Sequence, residues 1–166
     1  MMQLSIMKKG AMIAFIAFII DRISKWWFLD VFELPYKGTV EILPIFDVVM
    51  VWNRGVSFGF MSASDDFGRW ALVVMNLIIV GVLIYWLRSA KSILLGSAIG
   101  LVIGGAFGNI YDRIKFGAVA DYFQFHWQDW YFAVFNVADS FIFIGAVLLI
   151  FNSTFGADAE DKKEDE

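Results

Sequence analysis

The chain has 166 residues, 60% of them hydrophobic, with a net charge of −4 and no cysteine. A soluble domain averages about 45–50% apolar residues, so this composition argues against a water-soluble globule and for a membrane protein. Nothing in it suggests a nucleic-acid partner, and without cysteine there is no disulfide, thiol nucleophile or acylated thiol.

Four apolar stretches are each near the ~20 residues that a helix needs to cross a ~30 Å hydrocarbon core. The first covers about residues 7–29. Lys8 and Lys9 precede its apolar run, as in a secretory leader, but Asp21-Arg22-Ile23-Ser24-Lys25 follows where a small-x-small cleavage site would stand. An uncleaved span is therefore expected. Asp21 and Lys25 lie at i, i+4 with the acid first, the order that favours a helical ion pair; contact with a substrate headgroup is the alternative. In the long loop 30–69, the β-branched and aromatic run Val40–Val51 predicts a short strand or hairpin on the membrane surface. It leads into Asn53-Arg54-Gly55-Val56-Ser57-Phe58-Gly59, whose glycines allow a turn with exposed amides. Asp65, Asp66 and Arg69 mark the approach to the second span, about 70–87, where Asn76 is expected to hydrogen-bond between helices.

The third span, about 93–111, carries Gly96, Gly100, Gly104 and Gly108, a ladder that leaves one helix face bare for close backbone approach. Asn109, Asp112 and Arg113 lie at its end. The loop 112–129 holds Asp121 within Val119-Ala120-Asp121-Tyr122, and also His126, read as a surface residue. The fourth span, about 130–151, contains Asn136 and Asp139 at i, i+3, so the amide could orient the carboxylate. Asp139 would then lie seven to nine residues into that helix, about 12 Å below its start. Residues 1–151 read as one membrane-embedded unit and 152–166 as an acidic, disordered tail; its last nine residues carry six acids and two lysines, which accounts for the whole net charge.

If the four helices alternate, one membrane face receives the ends of helices one and three and the starts of two and four. Asp21, Lys25, Asn109, Asp112, Arg113, Asn136, Asp139 and both long loops fall on that face. Clustering on one leaflet reads as a site, because an acid near lipid is costly and marks function by default. Charge counting leans only slightly to both termini inside: six basic residues would be cytoplasmic against five outside.

Asp121 and Asp139 are the candidate catalytic groups. Two carboxylates sharing a site hold one proton between them, so the ionised one can take a proton from water while the other donates to a carbonyl oxygen. The competing reading pairs one aspartate with Arg113 or Lys115. Lone His126 offers no metal cluster, and Ser57 and Ser140 have no evident histidine partner. No metal or cofactor is expected.

Five segments, Asp21–Lys25, Asn53–Gly59, Gly104–Arg113, Val119–Tyr122 and Phe135–Asp139, stand in the order of lipoprotein signal peptidase, the bacterial type II signal peptidase, and the chain resembles that family over residues 11–150. Tyr111 and Ala133 depart from the family's usual aliphatic residue and proline. The resemblance implies an all-α membrane protein with four transmembrane helices, a small extracytoplasmic β-cradle and both termini in the cytoplasm of the bacterial inner membrane. It implies Asp121 and Asp139 as the catalytic dyad of an aspartic endopeptidase. Asn53, Gly55, Asn109, Arg113, Asn136 and Ala138 would bind substrate or support the dyad, and Asp21, Lys25 and Asp112 would be structural. The implied substrate is a diacylglyceryl-modified prolipoprotein, cut N-terminal to its lipidated cysteine. The enzyme is expected to act as a monomer in membrane lipid. The alternative is a non-enzymatic four-helix transporter or assembly subunit; such relays run through the midplane, where helices two to four offer no ionisable residue in their inner halves.

Overall fold

A computed structural model of the protein describes residues 2–55 and 66–155, the last by its backbone alone. Val56, Ser57, Phe58 and Gly59 of the second segment, Asp65, and most of the acidic tail lie outside the described residues. Helix α1 spans Met2–Trp26 and continues into a π turn, Trp27–Val31. After a short 3-10 turn come the strands β1, Val40–Leu43, and β2, Phe46–Asn53. Helices α2, Asp66–Leu87, and α3, Ile93–Phe116, follow. Strands β3, Val119–Trp127, and β4, Trp130–Tyr131, then lead to helix α4, Val137–Phe155. All four helices are long and apolar enough to cross a membrane.

α3 is the central helix: 61% of its most apolar window is buried inside the protein, against 11–22% for the other three. The glycine ladder explains how. A Cβ at Gly100 would collide with the Gly10 carbonyl of α1, and one at Gly104 with the Ala14 carbonyl. On the other side a Cβ at Gly105 would strike the Ala138 carbonyl of α4. Small residues thus let α1 and α4 lie against α3 backbone to backbone, the kind of packing that holds helices together where lipid competes for every apolar side chain. Asn76 is half-buried on α2, and its side chain makes no hydrogen bond to another described residue.

The expected hairpin is present as β1–β2, but the sheet is larger than the sequence suggested. Four antiparallel strands run in the order β1-β2-β3-β4, and β3–β4 occupies what reads in sequence as loop and early helix. The signal was the aromatic run Tyr122–Trp127 followed by Gln128-Asp129, where Gln128 adopts φ 52°. The fourth helix accordingly begins at Val137, not near Trp130. Trp130 and Tyr131 pair with Trp127 and His126, and Phe135 exchanges backbone hydrogen bonds with Phe123, so these residues cannot be helical. The third helix runs five residues further than expected, to Phe116, and stops where Gly117 turns left-handed at φ 79° and donates to the Arg113 carbonyl. Asp112 and Arg113 are therefore helical residues rather than loop. The first and second helices start earlier, at Met2 and Asp66.

Candidate active site

Each carboxylate is fixed by the start or middle of a different element. Asp121 is the third residue of β3, directly opposite Val51, and Asn53 faces Val119 two places along. That register brings the Asn53 amide to donate to Asp121 Oδ2 over 2.9 Å. The Asn53 carbonyl oxygen in turn accepts from the Gly55 backbone N–H at 3.1 Å, an Asx turn that sets the amide's direction. Asp139 is the third residue of α4, in its first turn rather than 12 Å below the start. Asn136 is the cap: its Oδ1 accepts from the Asp139 N–H at 3.0 Å, while Asp139 Oδ2 accepts from the Asn136 N–H at 3.1 Å. This reciprocal pair satisfies two helix donors that would otherwise be unpaired.

The same Asn136 reaches the other aspartate. Its Nδ2 donates to Asp121 Oδ1 over 2.6 Å and to Asn109 Oδ1 over 3.2 Å. Asn109, on α3, donates from Nδ2 to Asp139 Oδ1 at 2.7 Å. Asp121 and Asp139, from a strand and a helix 18 positions apart in sequence, therefore meet through two asparagines. Neither carboxylate forms a salt bridge with Arg113 or Lys115 among the described residues. Arg113 donates to the Asn109 carbonyl at 3.3 Å, and the Lys115 ammonium lies over the Tyr111 and Phe116 rings.

Beneath this pair lies a buried charge cluster. Lys25 Nζ is 2.7 Å from Asp112 and 3.1 Å from Asp21, and it also donates to Asn109 Oδ1 at 3.2 Å. Arg22 bridges the same two acids at 2.6 Å and 2.7 Å. Asp21 Oδ1 further accepts from the Ala138 N–H, and Asp112 Oδ2 from the Ala120 N–H. The expected Asp21–Lys25 pair is thus one edge of a cluster that ties α1 and α3 to the starts of β3 and α4. Ala138 contributes its backbone and the absence of bulk, since Gly105 and Gly108 pack against it. Sequence reasoning missed Arg22 as a bridge, and missed Tyr122, whose hydroxyl shares a 2.7 Å hydrogen bond with Ser24 while its ring stacks on Phe28 at 4.2 Å. Phe28 sits in the π turn, a local widening of a kind that often accompanies functional sites.

The two acids differ in exposure. Asp121 is buried, and burial is the main cause that pushes its carboxyl up to about 6; the nearby Asp139 charge adds to this, and the bonds from Asn53 and Asn136 oppose it. Asp139 is half-buried and lines an apolar cavity of about 420 Å³ with Phe125, Phe132, Phe135 and Ile144. A water or a carbonyl could approach it from there. His126 is not a loop residue: it lies on β3, half-buried, 3.3 Å from Asp47. Ser140 donates to the Asn136 carbonyl and has no base beside it.

Comparison with known proteins bears on this arrangement. The family described as Signal peptidase (SPase) II has a sequence model that matches residues 13–155. A lipoprotein signal peptidase of Aeromonas hydrophila is 40% identical over 154 residues, 92% of this chain and 90% of its own. One from Methylorubrum extorquens is 42% identical over 146 residues, 87% of this chain and 85% of its own. Among solved structures, a bacterial membrane enzyme determined by the in meso method at 2.3 Å superposes with a TM-score of 0.73 at 24% identity, covering 95% of this chain and 91% of that one, which speaks to the fold.

Proposed function

This chain belongs to the signal peptidase II family, and from that membership we propose that it cuts diacylglyceryl-modified prolipoproteins on the N-terminal side of the lipidated cysteine, with Asp121 and Asp139 as its catalytic dyad. That it is a protease and a multi-pass membrane protein follows from the family and the four apolar helices. The alternative of a transporter or assembly subunit falls away on the same ground. The single observation that carries the dyad is the Asn136 amide, which binds Asp121 while its backbone binds Asp139 at the mouth of an apolar cavity.

The proposed chemistry follows from the difference between the two acids. Asp121, buried and with its pKa raised to about 6, holds the shared proton and donates it to the scissile carbonyl oxygen. Asp139, open to the cavity, takes a proton from a water whose oxygen forms the new bond to the carbonyl carbon. The tetrahedral intermediate collapses as the C–N bond breaks; the proton on Asp139 passes to the departing amine of the lipidated cysteine, and Asp121 recovers its own. No metal or cofactor enters these steps. Asn53, Gly55, Asn109 and Arg113 would orient substrate and carboxylates, and Asp21, Lys25 and Asp112 would hold the elements that carry them.

We further propose that residues 1–151 act as one unit, a monomer in membrane lipid, with both termini cytoplasmic and the dyad near the extracytoplasmic face of the inner membrane. The substrate's own signal helix would then deliver the scissile bond at the level of the clustered polar residues. The test is cleavage of a diacylated prolipoprotein by purified protein in detergent. Wild type should cut before the lipidated cysteine, and folded Asp121→Asn and Asp139→Asn should each be inactive. A folded single variant with near-normal turnover would overturn the dyad.

A further inference from the structure

A cavity of about 880 Å³ is an apolar trough on the side of α3 turned away from the two aspartates. Its floor includes Ile103, Phe107, Ile110 and Ile114, an i, i+4, i+7, i+11 stripe. At 100° per residue this stripe points opposite to Asn109 and Asp112, so the trough is separate from the proposed active site. The walls are α1 and α2, which stand apart here. From Met7 to Phe18 on one wall and from Leu77 to Arg88 on the other, each climbs about 16 Å, and because Gly104 of α3 lies beside Ala14 of α1 the floor carries the trough on to Ile114, about 26 Å in all.

One end of the trough is cationic. Arg88, just beyond α2, lines it and is exposed. Gln3 Nε2 donates to the Arg88 carbonyl over 2.7 Å and ties the start of α1 to the end of α2 at that level. Lys8, also exposed, follows Met7 at the same end of α1, outside the trough itself. An apolar slot with a guanidinium at one end matches an amphiphile with an anionic head. Lipid-facing proteins recognise anionic headgroups through such basic clusters beside apolar surface.

We propose that this trough binds one anionic phospholipid, its acyl chain along Phe107 and Ile110 and its phosphate at Arg88. Charge argues against the other occupants. A signal helix carries a basic leading segment, which Arg88 and Lys8 would repel. A second copy in the same membrane orientation would bring its own Arg88 and Lys8 to the same level. The assignment of this lipid to the cytoplasmic leaflet rests on the orientation proposed above; its binding does not.

The experiment uses the full-length protein in detergent and native mass spectrometry, with phosphatidylglycerol and phosphatidylcholine of identical acyl chains as probes. Wild type should retain one phosphatidylglycerol at concentrations where phosphatidylcholine is lost. Arg88→Gln should weaken phosphatidylglycerol retention about tenfold, the size expected for one charge-assisted contact, and leave phosphatidylcholine unchanged. Ala11→Trp should fill the trough and displace lipid; if it does not fold, Ile84→Trp fills the same space from the α2 wall. Peptidase activity on detergent-solubilised substrate should survive in these variants, which separates failure of the lipid site from failure of the proposed function. Equal retention of the two lipids, or unchanged retention in Arg88→Gln and the filled variant, overturns the proposal. So does a photo-crosslinker at position 11 that captures substrate or a second copy in place of lipid.

Discussion

Asn136 and Asp139 cap the start of α4 reciprocally, each accepting the other's backbone N–H at 3.0 and 3.1 Å. The Asn136 amide is left free to donate to Asp121 at 2.6 Å, so one residue begins the helix and couples the two acids. These roles separate by substitution. Asn136→Ala should lose the cap, about 1 kcal/mol, and should also reduce turnover at least a hundredfold. Asn136→Ser restores a cap but not the donor to Asp121, so thermal stability should recover while activity does not. Wild-type turnover in Asn136→Ser would reduce Asn136 to a helix cap.

The pH dependence of kcat/KM should carry an alkaline limb set by loss of the shared proton, beginning at about pH 6 or above, since burial and the Asp139 charge both raise Asp121. The limb belongs to the coupled pair rather than to one residue. The Asn53 bond favours the charged form of Asp121, so Asn53→Ala should move the limb to higher pH. A limb that stays in place would detach Asn53 from the titration.

Asp121 should also make the fold pH-dependent. An acid whose pKa is raised by folding stabilises the native state below its unfolded value, and that contribution is lost as the pH rises through about 6. Asp121→Asn cannot ionise, so it should melt above wild type near pH 8, by roughly 1–3 kcal/mol, and close to it near pH 4. The variant proposed to be inactive should thus be the more stable one. Melting curves in detergent at the two pH values decide the point.

Lys25 is buried between Asp21 and Asp112. Removing one partner of a buried charge cluster leaves the others uncompensated, so Lys25→Met should cost about 3–5 kcal/mol. Because Lys25 also holds Asn109, activity in the surviving folded fraction should fall as well. A variant with unchanged melting would show the cluster to be dispensable.

The ladder glycines are not equivalent to other glycines of the bundle. Gly100→Ala must push α1 off α3, because the new Cβ meets the Gly10 backbone, and should destabilise by about 1–3 kcal/mol. Gly81→Ala on α2 meets nothing within 4 Å and should be neutral or slightly stabilising. Comparable melting of the two variants would contradict backbone contact between α1 and α3.

Four spans, the glycine ladder and the gathering of Asp21, Asn109 and Asp139 at one end of the helices were readable from the chain, because hydropathy and helical spacing are local properties that survive without tertiary context. The spacing Asn136-x-x-Asp139 was visible too, but not its meaning. A helical start at Trp130 would have buried Asn136 within the helix, and only the pairing of Trp130–Phe135 with β3 moves the start to Val137 and makes Asn136 a cap. Arg22 and Tyr122 gave no sign of their partners, since Asp112 and Ser24 are distant in sequence. The meeting of Asp121 with Asp139 depends on the register of β3 against β2 and on where α4 begins. Neither is encoded within either motif; each follows from long-range backbone pairing, which sequence periodicity cannot register. The chain's own pattern marks Asp121 and Asp139 as candidates for the chemistry, and only the folded backbone brings the two together through Asn136.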